Sequence, residues 1–107
     1  MDRNEYQTLA DACLQRVEDW LENFDPDELD YEPADGLVKF IFGDETVFVL
    51  NRQVAADQMW FAAGGRAWHY NWNADAQTWR DDKEGGDLYE RIAEVVSRKL
   101  TRPISFS

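Results

Sequence analysis

The sequence predicts an α+β fold, a two-layer sandwich in which an antiparallel sheet of five to six strands carries an N-terminal and a C-terminal helix packed on one face. Three observations point to it. Apolar residues recur three or four apart at both ends of the chain, short runs with two-residue alternation fill the middle, and clusters of Gly, Asp, Asn and Pro separate those runs. The 107 residues suit a single domain, 1–107, and a 44% hydrophobic content with five Trp, four Tyr and six Phe supplies the apolar surface that a packed core requires.

Taken in order, residues 4–24 place Tyr6, Leu9, Ala10, Cys13, Val17, Trp20, Leu21 and Phe24 on one side of a helix. Asp2 with Glu5 forms a capping box at its start, and Pro26 ends it by excluding helical geometry at Asp25. A first strand carries Asp30 and Glu32, and the Pro33-Ala34-Asp35-Gly36 turn leads into residues 37–42. Gly43-Asp44-Glu45 then joins that run to residues 46–51 as a hairpin. Residues 58–63 run to Gly64-Gly65, residues 67–72 follow, and a turn at 73–76 precedes a short strand at 78–81. The pattern is a meander. After Gly85-Gly86, a second capping box of Asp87 and Glu90 opens a helix with Leu88, Ile92, Val95, Val96 and Leu100 on one side. Pro103 stops it, and residues 104–106 form a tail that packs along the domain.

The formal charge of −11 is unevenly spread: residues 1–35 hold 12 acids and 2 bases, residues 36–107 hold 10 acids and 9 bases. Such a surface repels phosphates and anionic lipid, so nucleic acid and membranes are excluded as partners, whereas cations and basic protein surfaces are favoured. No apolar run reaches the roughly 20 residues of a bilayer span, and the start Met1-Asp2-Arg3-Asn4-Glu5 has neither a secretion signal nor an Arg-rich transit peptide. A bacterial cytosolic location is the expectation. Cys13 stands alone, which excludes an intrachain disulfide and a thiolate metal cage, and its helical position reads as a small buried hydrophobe.

Around the first helix, Asp11, Glu18, Asp19 and Glu22 fall opposite the apolar side. Past its end come Asp25, Asp27, Glu28, Asp30 and Glu32, with Asp30 and Glu32 on the same side of the strand, so helix and strand present one acidic ridge. Carboxylate oxygens are hard ligands that suit Mg, Ca, Mn or ferric iron. An EF-hand starting at Asp25 fails, because Leu29 and Asp30 occupy positions where the loop needs an oxygen ligand and Gly. By charge alone the ridge reads either as a solvated face or as a site for loosely held cations.

Alternation places Met59 and Phe61 toward the helices and displays Trp60, with Asn51, Arg52, Gln53 and Gln58 nearby. An exposed Trp ringed by amides and an Arg has the composition of a protein-interaction hot spot, unless a neighbouring loop covers it. Trp68, Tyr70 and Trp72 share the buried side of their strand, which leaves His69 outside as a surface residue. The single His forms no recognisable catalytic triad, and the Gly pairs match no phosphate loop.

Asn51-Arg52-Gln53, then Gln58-Met59-Trp60, then Gly64-Gly65 with His69, after an acidic helix and strand and before the Trp79 strand and the Gly85 turn, resemble the frataxin family in its bacterial, CyaY-type form. The resemblance spans essentially the whole chain; Ala55, Lys83 and Gly86 depart from the residues usual in the family. It implies weak binding of ferrous and ferric iron, with no organic cofactor, at Asp11, Glu18, Asp19, Glu22, Asp25, Asp27, Asp30 and Glu32. It also implies docking on the cysteine desulfurase and scaffold protein of iron-sulfur cluster assembly through Asn51, Arg52, Gln53, Gln58 and Trp60. The expected molecule is an accessory regulator rather than an enzyme, a monomer with iron-driven oligomers left open. The alternative is a ferroxidase or iron-storage and donor enzyme that uses the same carboxylates, although the Glu-x-x-His pattern of carboxylate-bridged oxidation centres is missing.

Overall fold

The computed structural model describes residues 1–106, in which a helix, six strands and a second helix follow one another as anticipated. Helix α1 spans Arg3–Leu21, and its first turn is closed by the Asp2 carboxylate, which accepts the Glu5 N–H at 2.8 Å. It ends three residues before Phe24. There the Asn23 side-chain amide donates to the Trp20 carbonyl at 3.1 Å and satisfies one of the groups left open at the helix end. Leu14, outside the set of apolar positions expected to face inward, is buried with them.

Strands β1 (Leu29–Ala34), β2 (Leu37–Phe42), β3 (Val47–Gln53), β4 (Gln58–Ala63), β5 (Arg66–Asn73) and β6 (Thr78–Asp81) form one sheet in chain order, every neighbouring pair antiparallel. Strand β3 continues two residues beyond Asn51, because its pairing with β4 holds as far as Gln53 opposite Gln58. A 3₁₀ turn at Val54–Ala56 makes the connection. Helix α2 spans Leu88–Leu100, with Asp87 accepting the Glu90 N–H at 3.1 Å at its start.

One sheet face is the core. Phe40, Leu50, Met59, Phe61 and Tyr70 are fully buried on it, under Tyr6, Val17 and Leu21 from α1 and Leu88, Ile92 and Val96 from α2. Helix α1 lies over β1, β2 and β3, whereas α2 approaches β6. The tail returns to the helices: Phe106 stacks on Trp20 with ring centroids 4.5 Å apart, and the Trp20 Nε1–H donates to the Ser105 carbonyl at 3.0 Å. Burying the stacked faces of two aromatic rings gives this short segment a reason to stay docked. Among the described residues no helix is long and apolar enough to cross a membrane.

Candidate acidic and sheet-face sites

Of the acids of α1, of the segment after it and of β1, Asp11, Asp19, Glu22, Asp25, Asp27, Asp30 and Glu32 are exposed, and Glu18 and Glu28 are half-buried. Asp30 and Glu32 pair opposite Ile41 and Lys39, on the face away from the helices, since Leu29 beside them is buried. The helix acids lie in the other layer. Tyr31 joins the two, because its hydroxyl donates to the Glu22 carboxylate. That bond, then burial, then the negative charges of Glu22, Glu18 and Asp19 push the Tyr31 phenol up to about 12. Sequence reading missed Tyr31, for which the only signal was its place between two outward-facing acids.

The nine candidate ligands are not equivalent. Arg52 donates to Asp11 at 2.6 Å and to Asp35 at 3.1 Å, so Asp11 is already paired. Arg102 holds Glu28 through two bonds, 2.6 Å from Nη2 and 3.4 Å from Nε. Among the described residues Glu18, Asp19, Glu22, Asp25, Asp27, Asp30 and Glu32 have no cationic side chain within 4.0 Å. Of these, Asp25 uses one oxygen to accept the Asp27 N–H at 2.9 Å. No three His, Cys, Asp or Glu side chains among the described residues converge as a ready chelating cluster. The arrangement offers separate, hydrated carboxylates that can each contribute one or two oxygens to a hard cation.

The segment after α1 is held close. The Gly43 N–H donates to the Glu28 carbonyl at 3.1 Å, and a Cβ on Gly43 would stand 2.5 Å from the Asp27 carbonyl oxygen. Only Gly lets the β2–β3 turn approach the acidic segment this closely.

On the open sheet face, pairing in register arranges side chains in rows across the strands. One row runs Leu37, Asn51, Trp60 and His69; the next toward the 3₁₀ turn runs Gln53, Gln58, Asn71 and Arg80. Trp60 is half-buried. Its Nε1–H donates to Gln58 Oε1 at 2.9 Å, Gln58 Nε2 donates to Asn71 Oδ1 at 3.2 Å, and the His69 ring stacks on the indole. Of the five residues expected around this surface, Asn51, Gln53, Gln58 and Trp60 come together. Arg52 does not. It pairs opposite the buried Met59 and therefore turns to the helix side, where it bridges Asp11 and Asp35. Its neighbour in sequence points to the opposite face because the side-chain period of a strand is two.

Elsewhere, burial pushes the Cys13 thiol up to about 12, which keeps it protonated and unreactive at neutral pH. His69 Nδ1 lies 3.9 Å from Asp82.

Against known proteins, the model of the frataxin-like domain matches residues 1–102. An iron-sulfur cluster assembly protein CyaY of Dechloromonas aromatica is 33% identical over 105 residues, covering 97% of each chain. The proteins of the same name from Pseudoalteromonas atlantica and Aeromonas hydrophila are 26% and 28% identical, over 99% of this chain and 95% and 99% of theirs. The solved structure of the frataxin from Psychromonas ingrahamii, of the CyaY family, superposes with a TM-score of 0.88 at 25% identity, covering 100% of this chain and 99% of that one.

Proposed function

This chain belongs to the frataxin-like family, and on that premise we propose that it serves iron-sulfur cluster assembly in the bacterial cytosol as a non-catalytic accessory protein. It binds ferrous and ferric iron weakly on the acidic band and docks on the cysteine desulfurase and its scaffold protein. The names of the curated relatives support the pathway. The observation that carries the site is the set of seven carboxylates that have no cationic partner among the described residues, from Glu18 on α1 to Glu32 on β1.

A carboxylate that keeps most of its water gives each ion little net binding energy, so several ions are held loosely and exchange readily. The same uncompensated charge accelerates encounter with a basic protein surface and orients it. Trp60 supplies what charge does not, a large and partly apolar side chain that excludes water at contact. Asp11 and Glu28 contribute less than their neighbours to either task, because Arg52 and Arg102 already neutralise them.

The test is joint charge reversal, Glu18→Lys, Asp19→Lys and Glu22→Lys, with affinity for the purified desulfurase–scaffold complex measured over a range of salt. Binding should fall on the order of tenfold or more at low salt, and its dependence on salt should flatten. Unchanged affinity and salt dependence would remove the acidic band from the docking surface. In the same protein, NMR titration with Fe(II) should no longer shift residues 18–22, while the intact carboxylates from Asp25 to Glu32 still respond; undiminished shifts at 18–22 would reassign the metal site.

A further inference from the structure

We propose that His69 is the positioning residue of the Trp60 surface: its imidazole, stacked face to face on the indole, holds Trp60 in the orientation a protein partner meets. The inference rests on the docking role proposed for Trp60 and deepens it.

His69 and Trp60 stand directly opposite each other on β5 and β4, with ring centroids 4.2 Å apart and planes inclined by 17°. The indole is thus held by its face, and its edge is held as well, because Nε1–H donates to Gln58, which is itself tied to Asn71. A Trp on an open sheet face otherwise exchanges between rotamers, and a partner has to freeze that motion on binding. Two directional contacts remove most of it in advance.

His69 is itself fixed from below. Its carbonyl accepts the Asp82 N–H at 2.9 Å, and its Nδ1 faces the Asp82 carboxylate at 3.9 Å. Arg66, Asp81, Lys83 and Glu84 line the polar cleft beside the ring, where the Asp81 carboxylate is occupied by the N–H groups of Lys83 and Glu84. Arg80 on β6 gives its guanidinium to the Gly85 carbonyl at 3.1 Å. Asp82 is the carboxylate that faces the imidazole.

The experiment follows the Trp60 indole Nε1–H by ¹⁵N relaxation in the free protein, together with affinity for the desulfurase–scaffold complex, in the wild type, His69→Ala, His69→Phe and Trp60→Ala. In His69→Ala the indole should become mobile and binding should weaken by about three- to tenfold. His69→Phe, which keeps an aromatic face over the indole, should restore both. Indole order that is the same in His69→Ala as in the wild type overturns the proposal. Binding lost in Trp60→Ala alongside unaltered indole order in His69→Ala removes this inference alone. Binding intact in Trp60→Ala removes the docking role and this inference with it.

Discussion

Tyr31 belongs to the acidic surface as much as the carboxylates around it, because its hydroxyl is the donor that connects the helix layer to the edge strand. Its phenol ionises at about 12, above the ordinary value of about 10 that an unfolded tyrosine keeps. A folded-state value raised in this way means stability that is complete below about pH 10 and is lost as pH rises toward about 12. Tyr31→Phe should therefore lose less stability than the wild type when denaturation at about pH 9 is compared with denaturation at about pH 11. Equal losses in the two proteins would show that the Tyr31–Glu22 bond does not persist in solution. The comparison has to be a difference, since Tyr6, Tyr70 and Tyr89 are also shifted upward, chiefly by burial. Residue by residue, exposure of the acids was legible from helical period, but their pairing was not. Asp11 finds its cation 41 positions away and Glu28 finds its own 74 positions away, and no local pattern reports such distances.

Elements were easiest to read where their determinants are local. Both helix starts are set by an Asp whose carboxylate accepts an N–H three residues on, a relation visible in the sequence as Asp2 with Glu5 and Asp87 with Glu90. Asp87 does more than cap, for it also accepts the Thr78 hydroxyl and so couples α2 to β6. Asp87→Ala should cost about 1–2 kcal/mol in a urea denaturation experiment, while Asp87→Asn should retain most of the stability. A loss in Asp87→Asn as large as in Asp87→Ala would mean that the charge, rather than the cap geometry, carries the contribution. The end of α1 and the length of β3 were harder to place. Both depend on what a neighbouring segment offers, the Asn23 amide in one case and the paired strand β4 in the other. The reading of Arg52 as a neighbour of Trp60 failed at this scale too, because extending β3 through Gln53 applies strand alternation to a residue treated as part of a loop.

For the whole molecule, concentrating 12 acids in the first 35 residues makes the folded state repel itself along one edge. Two of the nine ridge acids are relieved by arginines, which leaves the rest dependent on dissolved ions. The melting temperature should rise as sodium chloride is increased from about 0.01 M to about 0.5 M, where screening shortens the reach of each charge to a few ångströms. Neutralising Glu18→Gln, Asp19→Asn and Glu22→Gln together should raise the low-salt melting temperature by about 5 °C and flatten the salt response. A melting temperature indifferent to salt in the wild type would show that the band is already compensated. The sequence by itself determined the order of the elements, the helix starts, which side of β4 and β5 meets the core and where the negative charge lies. Each of these depends on residues a few positions apart. Only the tertiary structure decided which acids stay free and which neighbours hold Trp60, since those answers depend on strand register and on arginines that folding brings from distant parts of the chain.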